Sequence, residues 1–157
     1  MHQTLNRMRE KRANDEGFTL IELLVVVVII GVLVAIAVPV YLNYRQGAAD
    51  KSAQSDVRGA ISAVEQYYTS NANTLPAGAL NKSGSIPLVA TATGSPGTIT
   101  LSDKTVMTLV STAAATTYKL CAKNTNGTTN RFYSYDSAKG GSVAGITKAG
   151  FSMTTCT

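Results

Sequence analysis

Residues 16–42 read EGFTLIELLVVVVIIGVLVAIAVPVYL, and this segment determines the architecture of the chain. Glu22 is the single charged residue in the 25 positions from Phe18 to Leu42. As an α-helix rising 1.5 Å per residue, this run would be about 37 Å long, which is enough to cross the apolar core of a bilayer. Buried strands rarely exceed about eight residues, so the length favours a helix despite the many valines. The sequence therefore predicts a membrane-spanning helix that contains one acid.

The helical pattern continues beyond Leu42 without a clear stop, but its character changes. Residues 43–70 are polar and rich in alanine, and their larger apolar side chains recur every three or four positions. We expect one face of this part to pack on a sheet, through Val57, Ile61, Val64 and Tyr68. We expect most charged residues to lie on a solvated face, namely Asp50, Lys51, Asp56, Arg58 and Glu65. The prediction is one helix from about Phe18 to about Ser70, roughly 80 Å long.

Two residues are expected to weaken this helix locally. Pro39 removes a backbone hydrogen bond and should kink the helix. Gly31 costs about 1 kcal/mol relative to alanine in a helix interior. Both residue types are also common in membrane helices, so an ordinary membrane span remains an alternative explanation for them.

Residues 71–157 are rich in Thr, Ser, Ala, Gly and Asn, and turn signals are frequent among them. The connections are too short for crossover helices, so we predict an antiparallel sheet and an α+β fold. The expected strands are 98–102, 105–111, 116–123, 131–136 and 142–146. Aromatic side chains at alternating strand positions are interpreted as core and rim rather than as a binding face: Tyr118, Phe132, Tyr133 and Tyr135.

The composition excludes several functions. His2 is the only histidine, no CxxC spacing occurs, and no nucleophile is paired with a base, so we predict no metal site, no cofactor and no catalytic residue. The formal net charge is +5, but four of the basic residues precede the apolar run and the others are scattered. This charge allows weak contact with DNA or anionic surfaces, and no more than that.

The two cysteines, Cys121 and Cys156, both lie late in the chain. A disulfide between them would close a loop of about 35 residues and stabilise the domain by roughly 3–4 kcal/mol. It would also fasten the C-terminal segment to the sheet. Two free buried thiols are the alternative.

Residues 1–17 are hydrophilic and do not resemble a folded element. A secretory signal peptide would carry small residues at a cleavage site after its apolar core, and nothing of that kind follows Val38. A plain signal anchor is the simpler alternative. Four Lys or Arg residues precede the apolar run and three follow it closely, so the charge bias does not choose its orientation.

The boundary of the apolar run is more specific, because Gly17-Phe18-Thr19-Leu20-Ile21-Glu22 and the run behind it resemble the processing site of type IV pilins. The resemblance covers about residues 14–68. It implies that a prepilin peptidase cleaves between Gly17 and Phe18, and that the new terminus at Phe18 is N-methylated. It also implies four segments: a leader (1–17), an apolar membrane and filament-core half-helix (18–42), an amphipathic half-helix (43–70) and a β domain (71–157).

The type IV pilin fold implied by this resemblance has a long N-terminal helix with a protruding apolar half. The C-terminal half of the helix packs on an antiparallel sheet. In filaments of the family the helix partly unwinds, and here Gly31 and Pro39 would bracket that stretch. The late cysteine pair also resembles the disulfide-bounded region of type IV pilins.

Glu22 has both a structural and a functional interpretation. An acid at the bilayer edge can snorkel, and the helix dipole favours it in the first turns. Cleavage would add a positive amine at Phe18. The resemblance implies that Glu22 of one copy pairs with the Phe18 terminus of the next, because a misplaced subunit would leave two unpaired charges in an apolar bundle.

The expected function is that of a structural, major subunit of a type IV pilus that serves adhesion, motility or DNA uptake. The implied partners are other copies of the chain, the prepilin peptidase, and an assembly ATPase that acts through a membrane platform protein. The precursor would span the cytoplasmic membrane once, and the filament would be extracellular. Alternatives are a minor pilin, a pseudopilin of a type II secretion or competence machine, and an anchored binding protein that never polymerises.

Overall fold

A computed structural model describes residues 17–89, 97–112 and 114–157 of the chain. Residues 1–16 of the predicted leader lie outside the described residues. Helix α1 runs over Leu20–Ser70 and continues through Pro39, which itself has no amide hydrogen to donate. The long helix predicted from the sequence is therefore present, and it begins two residues later than expected.

The C-terminal end of α1 has a local cause. Ala72 and Asn73 both adopt left-handed backbone conformations, with φ of 51° and 57°. The Asn73 amide donates to the Tyr68 carbonyl at 3.0 Å, and the Asn71 side chain donates to the Tyr67 carbonyl. Left-handed residues of this kind satisfy the last carbonyls of a helix and turn the chain away from its axis.

The chain forms two compact units, with the boundary between Tyr41 and Leu42. In the first unit every described residue is exposed, and this exposure continues in the second unit as far as Ala48. The described residues of the second unit contain the remainder of α1 and seven strands: β1 (Ala79–Ser83), β2 (Ser85–Leu88), β3 (Gly97–Thr100), β4 (Thr105–Val110), β5 (Lys119–Asn124), β6 (Arg131–Asp136) and β7 (Ala144–Thr147).

Five strands form one sheet in the order β1-β4-β5-β6-β7, and β2 pairs with β3 in a separate two-stranded sheet. All pairings are antiparallel, as predicted. Strand β6 has the predicted bounds, and β3, β4, β5 and β7 differ from their predicted bounds by one to three residues at an end. Strands β1 and β2 were not predicted, because Gly84 and Pro87 lie in that segment and are turn signals.

The second half of α1 packs on the large sheet through one narrow stripe. The fully buried apolar residues on the helix are Ala53, Val57, Ala60 and Val64, with Tyr67 nearly so. Of the predicted face, Val57 and Val64 lie in this stripe, whereas Ile61 and Tyr68 are partly buried at its margin. The stripe differs from the predicted face because it includes the small residues Ala53 and Ala60, which a pattern of large apolar side chains does not single out.

The sheet contributes alternating side chains to this core, among them Met107, Leu109, Leu120 and Ala122. Three of the four aromatic residues interpreted as core and rim are buried, and the ring of Tyr135 lies 5.8 Å from that of Tyr118. The interpretation as core and rim is confirmed. It leaves no exposed aromatic face on these strands.

The prediction that Asp50 lies on a solvated face is wrong. Asp50 is only 9% exposed, and its carboxylate accepts hydrogen bonds from the Thr128 amide at 3.0 Å and the Thr128 hydroxyl at 2.6 Å. A buried carboxylate is tolerated when donors of this kind replace water. Lys51 and Arg58 are exposed, as expected.

Two further acids of α1 bind residues of the β domain that lie just outside its strands. Asp56 accepts hydrogen bonds from the amide and the hydroxyl of Ser102, at 2.9 and 2.8 Å. Glu65 accepts the Tyr118 hydroxyl at 2.7 Å, and burial together with this carboxylate raises the pKa of Tyr118. The helix is therefore joined to its domain by directed bonds as well as by apolar packing.

Candidate functional site at the start of the long helix

The first turn of α1 contains a reciprocal capping arrangement between Thr19 and Glu22. The Thr19 amide and hydroxyl donate to Oε2 of Glu22, at 2.9 and 2.6 Å. In return the Glu22 amide donates to the Thr19 hydroxyl oxygen at 3.3 Å. These contacts satisfy amides that a helix start leaves unpaired, and they define a capping box. They explain why α1 begins at Leu20.

This cap was not predicted, although the sequence signal for it is present. A threonine followed three residues later by glutamate, directly before an apolar run, is the sequence pattern of a capping box. The sequence-based interpretation of Glu22 invokes the helix dipole and assembly, and it gives Thr19 no role. The structure adds Thr19 as the residue that fixes the direction of the Glu22 side chain.

The cap uses only one carboxylate oxygen of Glu22. Within the described part of the chain, Oε1 accepts no hydrogen bond, and the whole residue is exposed. Because Oε2 is bound to Thr19, the carboxylate is directed toward the N-terminal end of α1. A second donor can therefore approach Oε1 without breaking the cap.

The predicted cleavage point lies just before this cap. Residues 17–19 are exposed and precede the helix, and the Phe18 side chain is 87% exposed. A side chain added at Gly17 would meet nothing within 4 Å. The peptide bond between Gly17 and Phe18 is thus open to an enzyme.

The surface behind the cap is apolar on every side. Large apolar side chains from Leu20 to Leu42 are about half or more exposed, and none is buried. By length and composition, α1 contains a segment that could cross a membrane. Apolar surface of this extent marks a contact with lipid or with other proteins. Gly31 lies within it, where an added side chain would meet nothing within 4 Å, and Pro39 is likewise exposed.

A separate feature lies at the other end of the chain, where Cys121 and Cys156 form a disulfide with a Cα–Cα distance of 5.5 Å. The bridge attaches the C-terminal segment to β5, and the Phe151 ring stacks on Phe132 at a centroid distance of 4.5 Å. Of the two alternatives that the sequence left open, the structure has the disulfide. Among the described residues, no group of three or more His, Cys, Asp or Glu side chains could hold a metal ion.

Residues 12–38 match the family model of the prokaryotic N-terminal methylation motif. Over 54 residues the chain is 44% identical to the type IV major pilin protein PilE1 of Neisseria gonorrhoeae. This alignment covers 34% of this chain and 33% of that protein. The chain is 36% identical over 64 residues to the type IV major pilin protein PilA of Myxococcus xanthus, and this alignment covers 40% of this chain and 29% of that protein. The fimbrial protein EcpC of Eikenella corrodens is 44% identical over 55 residues, an alignment that covers 35% of this chain and 36% of that protein.

The chain spans about a third of the length of these relatives. No solved structure is significantly similar to it. The chain thus has an exposed apolar helix headed by a match to the prokaryotic N-terminal methylation motif. The named relatives, together with a long helix on an antiparallel sheet, support a type IV pilin.

Proposed function

We propose that this chain is the major structural subunit of a type IV pilus and polymerises through α1 into a cell-surface filament. The observation that carries the proposal is the apolar surface from Leu20 to Leu42, which is exposed on all sides and headed by one acid, Glu22. A helix that serves one domain needs only an apolar stripe, as the second half of α1 has. The first half has the surface of a helix surrounded by lipid and later by other copies.

Processing is the first step of the proposal. A prepilin peptidase cleaves between Gly17 and Phe18 on the cytoplasmic side, and the new amine at Phe18 is methylated. An α-amino group has a reference pKa of about 7.7–8.0, so this terminus is largely positive at neutral pH, and methylation keeps the charge. The proposed segments are those predicted from the sequence: leader 1–17, apolar half 18–42, amphipathic half 43–70 and β domain 71–157.

The second step, which we call the register step, sets the stagger between neighbouring subunits along the filament axis. The positive terminus of one subunit approaches Oε1 of Glu22 on a neighbouring subunit, while Oε2 keeps its bonds to Thr19. A buried pair of this kind specifies one stagger, because any other leaves a charge unpaired in an apolar surrounding. The cap and the intermolecular pair are thus compatible roles for one side chain.

The proposed location and partners of the chain follow from these two steps. The precursor spans the cytoplasmic membrane once, and the assembled filament is extracellular. The chain's own role is structural, so an assembly ATPase, acting through a membrane platform protein, supplies the work. The filament serves adhesion, motility or DNA uptake.

We also propose that α1 loosens between Gly31 and Pro39 when the subunit enters the filament. A glycine and a proline at these positions lower the cost of opening that stretch. Hydrogen–deuterium exchange of the micelle-bound subunit and of the filament tests this step. Faster exchange at residues 31–39 in the filament supports it, and equal protection in the two states contradicts it.

Glu22→Ala and Glu22→Gln together test the register step. Both proteins should insert and be processed, but sheared fibre yield should fall by roughly a hundredfold or more, since losing one partner of a buried pair costs about 3–5 kcal/mol. Glutamine can still complete a capping box, so Glu22→Gln removes the charge and keeps the cap. Normal fibre yield from Glu22→Gln would show that only the cap matters and would contradict the register step.

A further inference from the structure

A cleft of about 520 Å³ lies between the second half of α1 and two loops of the β domain. We call it the Arg45–Lys104 cleft. It carries two cations, one acid and several amide and hydroxyl groups. Its lining residues include Leu42, Arg45, Gln46, Lys104, Asp103 and Asn126. Apart from Leu42, the last residue of the apolar run, the proposed assembly surface uses none of them.

The loop that carries Lys104 is held in an uncommon conformation. Lys104 has φ of +60°, in the left-handed region that glycine favours. The loop closes through a hydrogen bond from the Thr105 amide to the Ser102 carbonyl at 3.1 Å. Ser102 is in turn fixed to α1, because its amide and hydroxyl both donate to Asp56.

The same loop is fastened from the β5–β6 side. The Lys104 carbonyl accepts the Thr125 amide at 2.9 Å, and the Asp103 carbonyl accepts Nδ2 of Asn124 at 2.9 Å. Asn124 also donates to the Ser52 hydroxyl on α1 at 3.2 Å. Strained residues persist only where neighbouring bonds fix them, and they cluster at ligand-binding positions. Lys104 is therefore presented at a fixed place while its side chain is exposed.

The helix side of the cleft gives its position along the chain. Leu42 is the last residue of the apolar run, and Arg45 follows three residues later, about 4.5 Å farther along the helix axis. Tyr44, next to Arg45, is 76% exposed. Tyrosine is enriched where a membrane helix enters the headgroup layer, and a long basic side chain near a helix end can extend its charge into that layer. When residues 18–42 are in a bilayer, Arg45 lies at headgroup depth.

We propose that the Arg45–Lys104 cleft binds the phosphate of an anionic phospholipid headgroup while the subunit is stored in the membrane. A guanidinium, an ammonium and amide N–H groups are the donors that phosphate oxygens accept from. Two cations against the single acid Asp103 give the cleft a net positive charge suited to an anionic lipid. The inference rests on the membrane stage of the proposed function and adds a specific lipid contact to it.

The full-length chain in nanodiscs provides the test. Native mass spectrometry would compare lipid retention from discs of phosphatidylcholine alone with retention from discs that also contain phosphatidylglycerol. We expect phosphatidylglycerol to remain bound preferentially. Glycerol 1-phosphate, added as a soluble competitor, distinguishes the two sources of phosphate: displacement at equal concentration would contradict a lipid site.

Lys104→Gly is the most informative variant, because glycine suits the left-handed backbone and the fold should be kept. Preferential retention of phosphatidylglycerol should fall about fivefold in Lys104→Gly and by a similar factor in Arg45→Gln. A loss of this size is expected when one basic residue near an anionic surface is removed. The matched control is Lys139→Gly, which removes an exposed turn lysine elsewhere on the domain and should change nothing.

Each other outcome is decisive. Equal retention by the unaltered chain, Lys104→Gly and Arg45→Gln would overturn the inference, although insertion into the discs would leave the proposed function intact. A chain that fails to insert would contradict the membrane stage itself. If Lys104→Gly lowers filament yield without changing lipid retention, the cleft contacts a neighbouring subunit and the lipid proposal is wrong.

Discussion

At the scale of one residue, Glu22 has one task in the structure and a second that we propose. It completes the cap with Thr19 inside its own chain, and in the proposed filament it meets the terminus of a neighbour. The first task orients the carboxylate for the second, because Oε2 is held and Oε1 is open. The charge in the apolar run is thus met locally by Thr19 before any partner arrives.

Thr19→Val should fray the first turn of α1. Valine keeps the shape but removes the hydroxyl, which both donates to Glu22 and accepts from its amide. Loss of a threonine cap costs about 0.5–2 kcal/mol, so amide exchange at residues 20–23 should accelerate roughly fivefold in the micelle-bound chain. Thr19→Ser keeps the hydroxyl and is the control. Equal exchange in the Val and Ser variants would show that the cap does not hold Glu22.

At the scale of elements, the second half of α1 is held by three acids that reach three different parts of the domain. Asp50 binds Thr128, Asp56 binds Ser102, and Glu65 binds Tyr118. Each bond joins positions far apart in sequence, the farthest being Asp50 and Thr128, 78 residues apart. Such contacts fix the rotation of the helix about its own axis. Apolar packing of alanines and valines alone would define this rotation less well.

Gly127→Ala should destabilise the domain through Asp50. A Cβ at position 127 would collide with Oδ1 of Asp50, and it would lie 3.2 Å from the Asn124 carbonyl oxygen. Overpacking of this kind costs about 1–3 kcal/mol. In an Asp50→Ala background most of that cost should disappear. Urea denaturation of the four proteins in nonionic detergent measures the coupling, and additive effects within about 0.5 kcal/mol would contradict the contact.

The Tyr118–Glu65 bond should make stability depend on alkaline pH. Burial and the Glu65 carboxylate raise the pKa of Tyr118 above its ordinary value of 10.0. The unfolded chain therefore loses this proton first, so the stabilisation is complete below about pH 10 and declines as the pH rises above it.

The measurement is urea denaturation between about pH 9 and 11, with Tyr118→Phe as the reference because it has no proton to lose. We expect the unaltered protein to lose up to about 1.4 kcal/mol more per pH unit than this reference above pH 10. Glu65→Gln should reduce the difference. Parallel pH profiles for the unaltered chain and Tyr118→Phe would contradict the raised pKa.

At the scale of the whole molecule, the two compact units have surfaces of different kinds. Residues 20–41 expose apolar side chains on every face, whereas the unit from Leu42 onward encloses a core and fastens its C-terminal segment with the Cys121–Cys156 disulfide. The proposed move from lipid into a filament requires an apolar surface that can contact first lipid and then other subunits. It also requires a domain that stays folded in water.

The sequence predicted the parts of this fold that depend on local pattern. Unbroken apolar character and helical spacing were sufficient for α1, and alternation of apolar and polar residues was clearest for β5 and β6. Strand β2 was missed because Pro87 is a turn signal, yet the strand pairs only with β3, where a proline is tolerated at an edge. The burial of Asp50 could not be foreseen, because its partner Thr128 approaches only through the tertiary fold. The Thr19 cap could have been predicted from its four-residue pattern.

The proposed filament depends above all on hydrolysis before the apolar helix, because that step creates the terminus that joins one copy of this chain to the next. N-terminal mass spectrometry of protein sheared from cell-surface fibres is the decisive experiment. We expect fibres made of this chain, beginning at Phe18 and carrying one methyl group on the amine. Unprocessed chains that begin before Gly17, dispersed as monomers in the envelope of cells that carry filaments, would contradict the proposal.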